Sequence, residues 1–163
     1  MIIDLRELLH ASGRIEGAVL SHLDDPVGGD VVVPCQVTVD YRFSQGMFYF
    51  HGSVAGEFAT ACHRCLAPVA TRISGEFDLI VRRSEHEGEF GEDVMTLATH
   101  EHEVSIDPWV HETVVVNEPM IVLCREDCKG LCPTCGTDLN TGTCNCESGD
   151  DPRWDALRRM KLD

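Results

Sequence analysis

Val31–Phe43, VVVPCQVTVDYRF, decides the fold. Val33, Cys35, Val37, Val39, Tyr41 and Phe43 share one side of a period of two; Gln36, Thr38, Asp40 and Arg42 share the other. Successive side chains of a strand point to opposite faces, so this is a half-buried β-strand. Met47–Phe58 follows with Phe48, Phe50, Val54 and Phe58 on one face, and Gln45-Gly46 between the two runs suits a hairpin turn. A third alternating run sets Val69, Ile73, Phe77, Leu79 and Val81 together. Three such strands in succession predict an antiparallel β-meander or barrel-like core with one face buried. Gly52, Gly56 and Gly75 fall inside these runs and predict bulges or bends. Cys35, on an apolar face, is expected to be a small buried hydrophobe and not a ligand.

Beyond the strands the character changes. Residues 84–103, SEHEGEFGEDVMTLATHEHE, hold seven acids and no Lys or Arg, which predicts an exposed, partly mobile acidic insert. Its His86, His100 and His102 can hold a metal loosely, but a solvated acidic loop is the plainer reading. In IDPWVHETVVVNEPM, Asp107 is a good N-cap, Pro108 fits the first helical turn, and Pro119 stops the helix. Val110, Val114 and Val115 would face inward, although the β-branched run Val114–Val116 also suits a strand. Asp151-Pro152 repeats the start signal before a short amphipathic tail helix with Trp154 and Leu157 apolar and Arg158, Arg159 and Lys161 basic. The expected fold is mainly β with a few short helices (α+β). Residues 1–122 form a β-rich core carrying the acidic insert, 123–148 a Cys-rich zinc module, and 149–163 the tail helix.

Six of the nine cysteines lie in LCREDCKGLCPTCGTDLNTGTCNC, residues 123–146. No apolar run approaches the roughly 18 residues of a membrane span, and the first residues carry acids where a secretory leader carries bases. A reducing compartment is therefore expected, where disulfides are disfavoured, and an odd number of cysteines fits no closed disulfide framework. Metal binding is the better reading. Cys132-Pro-Thr-Cys135-Gly has the composition of a zinc knuckle, and Cys144-Asn-Cys146 can supply the other pair. Cys124 and Cys128 then need two more ligands, which the central knuckle Cys62-His-Arg-Cys65 provides. Two structural zinc sites follow: Cys62, Cys65, Cys124 and Cys128 at one, Cys132, Cys135, Cys144 and Cys146 at the other. Rival arrangements stay open. One ion can be shared by Cys128, Cys132, Cys135 and Cys144, and His63 can replace a cysteine.

Composition narrows function. With 28 acids against 13 Lys and Arg, the formal charge is −15, which disfavours a general nucleic-acid binder. No Gly-rich phosphate loop, nucleophile elbow or His-Glu-x-x-His motif occurs, so no enzyme is expected. A Cys-x-x-Cys redox protein is the first alternative, but that motif usually opens a helix and here lies between alternating strands. A zinc-ribbon regulator is the second; it lacks a basic recognition helix.

LCREDCKGLCPTCGTDLN, the later CNC, DPRWDAL and the central ACHRCLAPV together resemble the YceD-type large-subunit ribosomal RNA accumulation family. The resemblance covers roughly residues 30–160 and is poorest in the acidic insert. It implies a β-rich, cytoplasmic, non-catalytic factor needed for large-subunit ribosomal RNA to accumulate, through assembly of the large subunit. The implied partners are a ribosomal protein or pre-ribosomal particle, with large-subunit ribosomal RNA as a further candidate; neither a membrane nor a small-molecule substrate is expected. Arg64, Arg153, Trp154, Arg158, Arg159 and Lys161 are the candidate contacts, since basic residues beside an aromatic suit phosphate contact and base stacking. The overall acidity suits a protein adaptor for a basic ribosomal protein better.

Overall fold

The computed structural model describes residues 1–9, 12–25, 29–83, 94–98, 100–146, 153 and 160. Its elements are β1 (Ile2–Asp4), β2 (Ser12–Asp25), β3 (Gly29–Ser44), β4 (Met47–Ala61), β5 (Pro68–Arg83), β6 (Val94–Leu97), β7 (Glu103–Ser105) and α1 (Asp107–Val116). The alternating runs become β3, β4 and β5, and their apolar faces are the core: Val33, Cys35, Val37, Val39, Phe48, Phe50, Phe58, Leu79 and Val81 are all buried. Gln45 and Gly46, with φ of 53° and 77°, turn β3 into β4 with the two positive φ values that a tight hairpin matching strand twist requires.

The main sheet runs β2-β3-β4-β5-β6, antiparallel except for the β5–β6 pair. It is open: among the described residues β2 and β6 are its edges, so the barrel-like expectation gives way to a long open sheet. β1 and β7 form a second, two-stranded sheet. α1 lies against β2 and β5 and completes the core with Val110 and Val114.

The alternation did not reveal β2. Its inward positions include Gly13, Gly17 and Ser21, which dilute the apolar signal between Ile15, Val19 and Leu23. The predicted bulges are absent: β3–β4 and β4–β5 keep one register from end to end. The glycines serve space instead. The Phe77 ring fills the place a Cβ on Gly52 would take, and a Cβ on Gly75 would lie 2.6 Å from Thr113 Cγ2 on α1. Part of the acidic stretch is also sheet and not exposed insert, because Leu97 is buried and Val94–Leu97 pairs with β5. Residues 84–93, including His86, lie outside the described residues. α1 has Ile106 and not Asp107 at its N-cap; the Asp107 carboxylate meets the Met1 amino group, and Val115 faces solvent. The expected tail helix, with Trp154, Arg158, Arg159 and Lys161, lies outside the described residues; Arg153 and Met160 are exposed.

Candidate metal centres

The connection between β4 and β5 carries the first knuckle. Cys62 N–H donates to Ala67 O at 2.8 Å, and Leu66 N–H donates back to Cys62 O at 2.9 Å. The residue after the second cysteine, Leu66, has φ of 59°. The second knuckle repeats this frame: Cys132 N–H to Thr137 O at 2.9 Å, Gly136 N–H to Cys132 O at 2.9 Å, and Gly136 at φ 72°. The left-handed residue turns the chain so that backbone N–H groups point at the sulfurs.

Cys62, Cys65, Cys124 and Cys128 bring their sulfurs within 4.8 Å of one another, as do Cys132, Cys135, Cys144 and Cys146. Cys62 Sγ lies 3.8 Å from Cys128 Sγ, and Cys65 Sγ 3.5 Å from Cys124 Sγ. A tetrahedral zinc with bonds of about 2.3 Å separates its sulfurs by about 3.8 Å, so the first cluster fits such an ion. His63 joins neither cluster: its Nδ1 accepts from Val122 N–H at 3.3 Å. Cys35 stays apart, fully buried in the sheet core with its thiol pushed up by burial.

The thiols push one another apart in acidity. Burial would raise Cys62, but N–H groups of Cys65, Arg64 and Cys124 outweigh it and bring the thiol to about 6. Cys132, facing the N–H groups of Cys135 and Thr134, is likewise brought down to about 6. Cys124, beside Cys65, and Cys146, beside Cys135, are pushed up to about 12. Four sulfurs so close cannot all ionise without a cation among them, and a divalent ion supplies that charge.

The first cluster also joins two parts of the chain. Arg64 donates from its guanidinium to Cys128 O at 2.8 Å, and its own carbonyl accepts from Leu131 N–H at 3.0 Å. Gly130, at φ 74°, makes the close approach possible, since a Cβ there would stand 2.9 Å from Arg64 O. His63 N–H donates to Val122 O at 2.9 Å. Arg64, expected as a partner contact, is thus held against the chain itself. Sequence reading missed Asn140, whose side-chain amide reaches Cys128 Sγ at 3.5 Å; its only signal was the turn-rich loop.

The family described as "Large ribosomal RNA subunit accumulation protein YceD" matches residues 50–161. The chain belongs to the YceD family. All eight clustered cysteines of this YceD chain lie inside the matched span. An uncharacterised protein of Mycobacterium tuberculosis is 29% identical over 166 residues, covering 98% of this chain and 74% of its own. The chloroplastic YCED homolog 1 of Zea mays, named as a large ribosomal RNA subunit accumulation protein, is 24% identical over 152 residues, 76% of this chain and 52% of its own. No solved structure is a significant match to this YceD chain. Among its described residues no helix is long and apolar enough to cross a membrane.

Proposed function

We propose that this YceD-family chain is a non-catalytic, cytoplasmic ribosome-biogenesis factor that promotes accumulation of large-subunit ribosomal RNA as an acidic protein adaptor. The observation that carries the reading is the family match across residues 50–161. Both clusters are assigned structural zinc. Four thiolates around a tetrahedral ion leave no open position for a substrate, and zinc favours that geometry.

The adaptor reading follows from charge. The formal −15 deepens by two charges for every zinc bound to four thiolates, so a basic ribosomal protein suits this surface better than bare RNA. The described arginines are engaged within the chain. Arg14 pairs with Asp40 at 2.8 Å, Arg72 with Glu57 at 3.0 Å and Arg125 with Asp127 at 3.2 Å, and Arg64 holds Cys128 O. Apolar contact area lies where α1 runs on toward Cys124. There Val116, Met120, Phe58 and Leu23 line a groove of about 390 Å³, and Met120 is 94% exposed. A basic protein with an apolar anchor fits that groove.

Depletion followed by ribosome-subunit profiling tests the function; a normal large-subunit peak would remove it. Capture at moderate salt followed by RNase tests the mode, since protein partners that survive RNase support an adaptor and partners lost with RNA oppose it. A redox role would require Cys62 or Cys65 to be alkylated rapidly in zinc-loaded protein.

A further inference from the structure

We propose that Asn140 couples the two metal centres, so that an ion in the second cluster raises the affinity of the first. The inference rests on the reading that both clusters hold metal. By sequence Asn140 belongs to the second centre, in the return loop between Cys135 and Cys144. Gly142 N–H closes that loop onto Asp138 O at 2.9 Å, and Asp138 bridges to Leu131 just before Cys132. The side chain, however, serves the first centre. Asn140 Nδ2 donates to Cys128 Sγ at 3.5 Å, while Oδ1 accepts from Lys129 N–H at 2.8 Å and from the Arg125 guanidinium at 2.9 Å.

The amide can stand only one way round. A backbone N–H cannot accept, so the atom facing Lys129 N must be oxygen, and the nitrogen is left facing the sulfur. Asp138 Oδ1, 2.7 Å from Nδ2, takes the second amide hydrogen and fixes the plane. Every polar group of the Asn140 side chain is therefore occupied, Oδ1 across the junction and Nδ2 by Cys128 across it and by Asp138 within its own loop.

Backbone hydrogen bonds tie this loop to the second knuckle, Leu139 N–H to Gly130 O at 3.0 Å and Cys132 N–H to Thr137 O at 2.9 Å, but apolar packing adds little. Residues 137–142 bury no side chain fully, and the flanking Cys135, Cys144 and Cys146 are exposed or half-buried. An ion on those sulfurs fixes the loop and with it the donor aimed at Cys128. A donor to a metal-bound thiolate orients the ligand and offsets its charge, and such partners change metal affinity about 10–100-fold. Linkage makes the effect mutual: the first ion tightens the second by the same factor.

The test uses the full chain, reduced and metal-free, titrated with zinc against a competing chelator, with ions counted by native mass spectrometry. Asn140→Ala is expected to weaken the first cluster at least about tenfold. Disabling the second cluster with Cys144→Ser and Cys146→Ser should weaken it by the same factor, and adding Asn140→Ala to that pair should cause no further loss. Asn140→Asp keeps an acceptor for Lys129 N–H but removes the donor, so it should behave as Asn140→Ala. With cobalt as the probe, both Asn140 variants should shift the first cluster's sulfur-to-metal charge-transfer band to lower energy, which a merely structural role would not do. Additive losses, an unmoved band, or wild-type affinity in Asn140→Asp would overturn the coupling while leaving the metal reading intact. A wild-type chain that retains no zinc would overturn both.

Discussion

Leu66 and Gly136 occupy the same left-handed position in two knuckles with the same hydrogen bonds, yet only one is glycine. An L-residue there costs about 1–2 kcal/mol because its Cβ crowds the following carbonyl. Nothing lies within 4 Å of a Cβ built on Gly136, so Gly136→Ala isolates the conformational cost. Its expected effect is a loss of about 1 kcal/mol in urea unfolding of the zinc-loaded chain. Leu66→Asn is expected to gain up to about 1 kcal/mol, since Asn tolerates this region. Equal stability in both variants would place the strain elsewhere. His51 offers a second residue-level test. Its Nδ1 stands 2.9 Å from Asp78 Oδ1, directly across β4–β5, and that hydrogen bond raises the imidazole above its ordinary 6.5. A raised folded value means that the pair's stabilisation is complete below the unfolded pKa and is lost as pH climbs through the folded one. Both side chains are at least half exposed, so the effect on stability is small and titration is the better readout. Asp78→Asn should lower the His51 midpoint in an NMR pH series, since Glu76 and Asp40 alone are left to hold it up; an unmoved midpoint would deny the pair.

At the scale of elements, Gly75 decides how closely α1 approaches β5. A Cβ there would crowd Thr113 and Asn117, and neither yields readily: Thr113 Oγ1 donates to Trp109 O at 2.7 Å, and Asn117 Nδ2 donates to Thr113 O at 2.8 Å. Gly75→Ala is expected to cost about 1–3 kcal/mol as overpacking, seen as a lower urea midpoint with unchanged metal content. A neutral result would mean that α1 rides over the sheet without close contact. The same glycine shows where sequence reading stops. Its place inside an alternating strand was legible, but its purpose depended on Thr113 and Asn117, 38 and 42 positions downstream, so local logic suggested a bulge. β3, β4 and β5 were legible because large apolar side chains line most inward positions. β2 was not, because Gly13 and Gly17 face inward to admit Tyr41 and Met1, and the strand gains its burial from neighbours. The cysteine sets were legible by spacing and count, since Cys-x-x-Cys pairs leave few ways to complete tetrahedral sites. Asn140 was not, since no local pattern says which sulfur a loop amide will reach.

Across the molecule, the described residues form two interiors of different origin. The first is an ordinary apolar core between the sheet and α1. The second consists of Cys62, Cys65 and Cys128 themselves, with Ala67, Val69, Leu123 and Leu131 packed around them. Between Lys129 and Cys146 the buried side chains reduce to Cys132, with Leu131 and Leu139 only half-covered. So little apolar burial cannot offset the roughly 1–2 kcal/mol that ordering each residue's backbone costs. A structural zinc contributes about 10–16 kcal/mol apparent at neutral pH, comparable with the whole stability of a domain, about 5–15 kcal/mol. The two interiors should therefore part on chelation. Exhaustive removal of metal is expected to collapse the amide dispersion of residues 129–146 while β3, β4 and β5 keep theirs, because those strands hold Phe48, Phe50 and Leu79 without help from any sulfur cluster. Dispersion retained in 129–146 after chelation would show that the segment folds on its apolar contacts alone. Loss of the sheet as well would show that the clasp at Cys62 and Cys65 governs the whole fold. The predicted result, a surviving sheet beside an unfolded module, requires the metal to act where the chain has the fewest other means of holding itself together.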